Sequence, residues 1–219
     1  MIQPDIQQKL FSILERKNAE LSEYSLGFPP EETPYNLSRN FPGYEDYALE
    51  LGSGWGEFVL HEAGKNPGIF YVAIEKKKKR VLRAIRRQKE LGLANIRWLI
   101  LDINWFFANL FCQEQFSRVI INFPDPWPKR RHHKHRFFSA SFLGELTRIT
   151  KKGGILEFAT DFYPYLEEVF WYLEGNPAWH NKYGRGVILP HVEGRFVSYY
   201  EEQARRAGLA TFFLFYQRV

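Results

Sequence analysis

Short apolar runs alternate with segments of helical periodicity from Tyr44 to the end of the chain. Runs of this length between amphipathic segments are typical of strands and helices in crossover units, so we expect a doubly wound α/β domain with a mainly parallel sheet. The predicted strands are Tyr47–Leu51, Ile69–Ile74, Ile96–Leu101, Val119–Phe123, Ile155–Thr160 and Thr211–Tyr216. The predicted helices are Glu57–Ala63, Lys76–Leu91, Trp105–Phe111, Phe137–Thr150 with Lys151–Gly154 as its stop, Tyr163–Leu173 and Tyr199–Ala207.

The first 43 residues differ from this pattern. Apolar residues at helical spacing predict one short helix that ends near Glu20, and prolines between Phe28 and Pro34 then interrupt any regular element. We therefore divide the chain into an N-terminal arm, residues 1–43, and one domain, residues 44–219.

The composition excludes several classes of protein. The 219 residues are 45% hydrophobic and 25% charged, which is ordinary for a globular domain. The single cysteine, Cys112, excludes an internal disulfide framework and favours a reducing compartment. The chain begins without a signal-peptide pattern and contains no apolar run long enough to span a bilayer. We expect a cytoplasmic protein that does not contact a membrane.

Basic residues supply a formal net charge of +5 and are concentrated in two segments. Lys76–Lys89 has an apolar stripe, so its charges are best explained as the solvated face of a helix, with RNA contact as an alternative. Lys129–Arg136 has no such stripe and follows Asp125, an acid between two prolines. It is expected to steer nucleic-acid phosphates. Its histidines lack a cysteine or carboxylate at ligand spacing, so no metal is expected.

A glycine-rich loop follows the first predicted strand. Gly52, Gly54 and Gly56 would let the backbone approach a ligand at the carboxyl edge of the sheet. Their spacing differs from the dinucleotide-binding fingerprint, and Glu50 just before them suits a cationic ligand. The loop therefore favours S-adenosylmethionine over a nicotinamide cofactor.

Further acids follow the next three predicted strands. Glu75 occupies the usual place of a ribose-binding carboxylate, Asp102 could face adenine, and Asp125 lies just beyond the fourth strand. Each acid alone is more often a cap or a solvated loop residue. Together with Glu50, they predict a ligand site at one edge of the sheet. Asp161 ends the fifth predicted strand at the same edge.

The segment Pro124–His132 resembles the P-D-P-W-x-K-x-R-H signature of the bacterial single-chain tRNA (guanine-N7-)-methyltransferases. This signature is highly specific, and the resemblance extends from about Tyr44 to the C-terminus. It implies a Rossmann-like sheet of the class I methyltransferase type and methylation of a guanine in the tRNA variable loop. S-adenosylmethionine would be the cofactor and tRNA the partner.

The resemblance also implies roles for individual residues. Glu50, Glu75, Asp102 and Asp125 would contact the cofactor, and Asp125 would also be catalytic. The substrate contacts would be Lys129, Asp161, Ser198, Tyr199, Tyr200 and Glu201. Ser198 stands where relatives carry threonine, and Tyr199 where they often carry a charge. Ser198 and Glu201 also form a capping box, which explains both residues structurally.

Three other functions stay open at this stage. A methyltransferase of the same fold could act on another RNA or on a protein. A nicotinamide-dependent oxidoreductase would need a different glycine spacing. A non-catalytic RNA-binding protein would explain the basic segment but not the acids. No obligate protein partner is expected, and the sequence allows a monomer or a homodimer.

Overall fold

The computed structural model describes residues 12–27, 34–103 and 110–219. Its sheet contains seven strands in the order β3-β2-β1-β4-β5-β7-β6. The strands are β1 Asp46–Leu51, β2 Ile69–Glu75, β3 Ile96–Ile100, β4 Phe116–Asn122, β5 Thr150–Thr160, β6 Trp179–Asn181 and β7 Phe212–Arg218. The helices are α1 (residues 12–18), α2 Leu37–Asn40, α3 Glu57–Lys65, α4 Lys78–Leu91, α5 Ala140–Ile149, α6 Tyr163–Glu174 and α7 Tyr199–Arg206.

The sheet confirms the predicted α/β fold. Strands β1 to β5 are parallel neighbours, and β7 runs antiparallel to both β5 and β6. Because the chain reverses its direction of winding after β3, the carboxyl ends of β1 and β4 meet at the switch point, where open α/β sheets bind ligands.

Two apolar layers bury the sheet on both faces. Helices α3 and α4 cover one face through side chains such as Leu60 and Ile85, which pack with Trp98 of β3. Helices α5 and α6 cover the other face through side chains such as Leu146 and Val169. Burial on both faces explains why the central strands read as continuous apolar runs.

Several predicted bounds are wrong, and each error has a local cause. Lys151–Gly154 lies inside β5, because Thr150 already pairs with Phe116 of the neighbouring strand. The short strand β6 was missed, since three residues carry no periodicity. Helix α4 begins at Lys78, two residues later than predicted. Most of the predicted helix Trp105–Phe111 lies outside the described residues, and its described end is not helical, because Phe111 forms a β-bridge with Tyr35.

The described part of the N-terminal arm packs against the domain. Leu14, Leu21 and Leu26 are buried, and the Asn18 side chain accepts a hydrogen bond of 2.7 Å from the Ile100 backbone N–H. After α1 the chain continues in a 3-10 segment, Ala19–Tyr24. The arm therefore covers the β3 edge of the sheet. Among the described helices, none is both long and apolar enough to cross a bilayer.

Candidate active site

The glycine loop links β1 to α3. Gly52, Gly54 and Gly56 all have positive φ, at 77°, 58° and 78°, which non-glycine residues rarely adopt. A Cβ at Gly56 would lie 2.5 Å from the Trp98 ring, so this glycine also permits close packing of the loop against the sheet. A Cβ at Gly54 would lie 3.4 Å from the Tyr200 ring. The loop is thus fixed between the sheet and α7.

Glu75 holds the loop from the end of β2. Its Oε2 accepts a hydrogen bond of 3.0 Å from the Gly54 N–H, and its Oε1 accepts one of 2.8 Å from the Lys77 N–H. The Arg80 guanidinium lies 3.5 Å from Oε2, and the residue is buried. A buried carboxylate with donors on both oxygens keeps one orientation, so Glu75 presents a fixed negative charge to the neighbouring cleft.

A cleft of about 80 Å³ opens at the carboxyl edge of the sheet, beside this loop. Gly52, Glu75, Asp102 and Asp125 all line it, so the structure brings together three of the five predicted strand-end acids, but not Glu50 or Asp161. Lys76, Arg80, Tyr200, Trp127, His135 and several apolar side chains complete its walls.

A salt bridge joins the two sides of this cleft. Lys76 Nζ, after β2, lies 3.3 Å from Asp125 Oδ2, after β4, and the two strands flank β1. Their side chains are 39% and 69% exposed, and an exposed pair of this kind contributes less than about 1 kcal/mol. A ligand can therefore displace the pair at little cost and widen the cleft.

The loop after β4 holds Asp125 in place. Phe123 and Trp127 both have positive φ, at 46° and 44°, an uncommon conformation for bulky residues that often marks functional sites. The Phe123 N–H donates to the Ala159 carbonyl at 2.8 Å, and Arg136 Nε donates to the Pro126 carbonyl at 2.8 Å. These bonds keep the exposed acid on a rigid support.

Arg136 corrects one expectation about the basic segment 129–136. Its side chain is buried, pairs with Glu168 and lies over the Tyr165 ring. It is therefore a structural residue that anchors the loop, and it is not available to phosphates. The 3-10 segment Arg130–His135 precedes it. Among the described residues, no group of three histidine, cysteine or acidic side chains could hold a metal ion.

Glu50 lies in the interior beside the glycine loop and not on the cleft wall. It is 2% exposed, and its Oε1 accepts a hydrogen bond of 3.1 Å from Asn122 Nδ2. Its Oε2 is buried without a hydrogen-bond partner among the described residues. Burial raises the pKa of Glu50 to about 8, although the Asn122 bond and the charge of Arg195 oppose the shift. The orphaned oxygen is suited to a donor from a bound ligand.

A buried ionic network connects Glu50 to α7. Arg195 donates to the Asn122 side chain through one nitrogen, and another nitrogen lies 3.3 Å from Glu201 Oε2. The second oxygen of Glu201 accepts from Arg205 at 2.6 Å. Burial lowers the pKa of Arg195, since its acidic neighbours compensate only in part for the lost solvent. We name Glu50, Asn122, Arg195 and Glu201 the buried network.

The four predicted substrate contacts in the segment 198–201 have different surroundings. Tyr200 lines the cleft, and Tyr199 is 45% exposed with its N–H bonded to Glu57 at 3.1 Å. Ser198 is the N-cap of α7 and accepts from the Glu201 N–H at 3.3 Å, which is one half of the predicted capping box. The Glu201 carboxylate pairs with Arg195 and Arg205 instead of returning a bond to Ser198. Glu201 is buried in the network. Only the two tyrosines are therefore placed to reach a substrate directly.

Lys129 and Asp161, predicted to contact the substrate, are not on the cleft wall. Lys129 is exposed just before the 3-10 segment, and Asp161 is half-buried directly after β5. Sequence reasoning missed Lys76, Arg80, Asn122 and Arg195. Lys76 and Arg80 follow closely after Glu75, so their proximity to a predicted site residue was a signal in the sequence. Arg195 lies in a loop without periodicity and gave no such signal.

The fold and this cleft define a class I methyltransferase. A family model described as "Putative methyltransferase" matches residues 45–214. A solved "antibiotic related Methyltransferase" superposes with a TM-score of 0.64 at 17% identity, covering 90% of this chain and 98% of that one, a likeness that concerns the fold alone.

Sequence relatives narrow the class to one family. The chain is 34% identical over 211 residues to a tRNA (guanine-N(7)-)-methyltransferase of Leptospira interrogans, covering 96% of this chain and 95% of the relative. It is also 34% identical over 199 residues to the protein of that name from Ruegeria pomeroyi, covering 87% and 79%. The chain belongs to the tRNA (guanine-N(7)-)-methyltransferase family.

Proposed function

We propose that this protein transfers the methyl group of S-adenosylmethionine to N7 of a guanine in the variable loop of tRNA. One observation carries the proposal: the ends of four successive parallel strands bring the glycine loop and three acids to a single cleft. Membership of the family supports the choice of tRNA and of N7.

The residues of the site fit S-adenosylmethionine. Glu75 and Asp102 offer carboxylates for ribose hydroxyls and the adenine edge, and Gly52 leaves the backbone accessible. The buried Glu50 Oε2 lacks a donor, which a cationic amino group would supply. When bound, this cofactor supplies a methyl group on a positively charged sulfur.

The chemistry requires positioning more than proton transfer. Guanine N7 has a free lone pair, so no proton has to leave before the methyl group arrives, and a general base is unnecessary. Aligning the two reactants can therefore supply much of the rate enhancement. Positive charge develops on the guanine during transfer, and the Asp125 carboxylate is suited to stabilise it.

The Lys76–Asp125 salt bridge fits this role. While it is closed, one Asp125 oxygen is held by Lys76 and the cleft is narrow. Entry of the cofactor and guanine would replace Lys76 as the partner of Asp125. The carboxylate is then available at the position where positive charge develops.

Methylation of an unmodified tRNA transcript tests the proposal. Labelled S-adenosylmethionine should transfer its label to RNA, and borohydride and aniline treatment should cleave the product at one variable-loop guanine. A transcript with 7-deazaguanosine at that position should accept no label. Cleavage at another position, or label on protein alone, would favour the alternative methyltransferases.

A further inference from the structure

A second cavity lies between α3 and α4, on the outer side of these helices. It measures about 900 Å³ and is therefore much larger than the cofactor cleft. Leu60 and Phe196 contribute apolar surface, and Lys65, Arg83, Arg86 and Arg87 provide positive charge. We call this cavity the α3–α4 groove.

Both carboxylates that line the groove already have partners. Glu57 accepts a hydrogen bond of 3.1 Å from the Tyr199 N–H, and Glu90 pairs with Arg87 at 2.8 Å. Neither of them pairs with Arg83 or Arg86. The groove therefore has an excess of positive charge.

The cations of α4 differ in whether they form ion pairs. Lys78 and Arg80 pair with Glu20 and Glu75, at 2.5 Å and 3.5 Å. Arg83 and Arg86 are exposed and form no ion pair with any carboxylate in the described ranges. Guanidinium groups of this kind bind phosphate through two parallel hydrogen bonds. Arg83 and Arg86 therefore contribute cations without a carboxylate partner to the groove, whereas Lys79 and Lys89, which also form no ion pair in the described ranges, lie outside it.

The groove adjoins the cofactor cleft where Trp55 contacts Arg80. This residue lies between Gly54 and Gly56 of the glycine loop and lines the groove. The Arg83 guanidinium is 4.8 Å from the centre of its ring, and that of Arg80, which lines the cleft, is 5.5 Å away. A polyanion seated in the groove would therefore end beside the methyl-transfer site.

We propose that the α3–α4 groove binds the sugar–phosphate backbone of the tRNA, next to the nucleotide that enters the cleft. Arg83 and Arg86 bind phosphates, and the Trp55 ring holds the Arg83 guanidinium at the end of the groove nearest the cleft. The segment 129–136 leads into α5 on the opposite face of the sheet, so the RNA is held on both sides of the cleft. This inference rests on the proposed function, because it takes tRNA as the substrate.

The double variant Arg83→Gln/Arg86→Gln tests the groove. We expect the KM for tRNA to rise about tenfold, with kcat at saturating tRNA and the affinity for S-adenosylmethionine unchanged. The slope of log Kd for tRNA against log salt should fall by about 2, since two phosphate contacts are lost. Filter binding at several salt concentrations gives this slope without depending on activity.

A matched control removes the same charge elsewhere. Lys182 and Arg185 lie just after β6, at the opposite edge of the sheet, and Arg185 is 96% exposed. Lys182→Gln/Arg185→Gln should leave the KM and the salt slope close to those of the unmodified protein. If the two double variants had equal effects, tRNA binding would depend only on the net charge of the protein, and the proposal would be overturned.

The failure of this inference differs from failure of the proposed function. If the unmodified protein does not methylate tRNA, the proposed function is wrong. If it does, and the groove variant keeps the same KM and salt slope, only the assignment of the groove is wrong.

Two further variants sharpen the test. Arg83→Lys/Arg86→Lys keeps the charge and should recover most of the salt slope. The single variant Arg86→Gln, at an exposed position, guards against loss of folding. A single variant that binds tRNA with an unchanged salt slope would also overturn the assignment.

Discussion

The buried network and the cleft wall use charge in opposite ways. Arg195 and Glu201 are 7% and 3% exposed, and each of their charges is balanced by a fixed neighbour. Asp125 and Lys76 on the cleft wall are much more exposed and hold each other through one displaceable contact. The first region fixes geometry, and the second is free to change partners when ligands bind.

This difference separates residues that position the site from residues that act in it. Family resemblance alone assigns Glu50 and Asp125 the same role in binding the cofactor, although one is buried and the other lies on the surface. Mutations that affect stability and activity differently in the two regions test the distinction.

The largest effect should come from breaking the buried network at Arg195. In Arg195→Met, Arg205 is the remaining ion-pair partner of Glu201, and the Asn122 side-chain oxygen loses the hydrogen bond that Arg195 donates. Removing one member of a buried ion pair costs about 3–5 kcal/mol, which urea unfolding would measure. Arg185→Met, at a 96% exposed position, should cost less than about 0.5 kcal/mol. Equal costs would mean that the network does not stabilise the fold.

On the cleft wall we expect the reverse pattern. Asp125→Asn should lower kcat about 100-fold or more, because the developing positive charge on guanine loses its carboxylate. Its free energy of unfolding should change by less than about 1 kcal/mol, since only the exposed Lys76 pair is lost. The matched control is Asp46→Asn, which breaks another exposed salt bridge, that between Asp46 and Lys151 at 2.7 Å. This variant should retain activity. An Asp125→Asn protein with normal kcat would exclude the catalytic role.

The sequence predicted the cleft well because a parallel sheet aligns strand ends. Once the strands were placed, Glu75, Asp102 and Asp125 had to lie at one edge, and the structure places them there. The buried network was beyond prediction. Arg195 reaches Asn122 and Glu201 through a loop whose path depends on tertiary packing, and no periodicity in the sequence encodes that path.

Glu50 is the next residue to compare, because its burial should make the stability of the folded state depend on pH. The folded pKa of about 8 lies above the ordinary value of 4.5, so the folded state retains a proton that the unfolded chain has lost. The associated stability is present at low pH and is lost as pH rises from about 4.5 to 8, by at most about 1.4 kcal/mol per pH unit.

Glu50→Gln should remove this dependence. The variant and the unmodified protein should differ least near pH 5, and the variant should be the more stable near pH 8. Urea unfolding without cofactor across this range measures the difference. If Glu50 also binds a cationic cofactor group, cofactor binding to the unmodified protein should release a proton, and calorimetry in two buffers would detect it. Parallel stability curves for the two proteins would show that Glu50 is ionised throughout.

The smallest effect concerns Ser198, where the structure and the family resemblance suggest different roles. Its hydroxyl accepts the Glu201 N–H and caps α7, and the residue is 7% exposed. Ser198→Ala should therefore cost about 1 kcal/mol of stability, the usual cost of a lost N-cap. Ser198→Thr keeps the hydroxyl and should restore most of that stability. Because Ser198 is buried at the N-terminus of α7, the KM for tRNA in the alanine variant should stay within about twofold of normal at a temperature where the variant is fully folded. A large rise in KM without loss of stability would instead place the hydroxyl against the substrate.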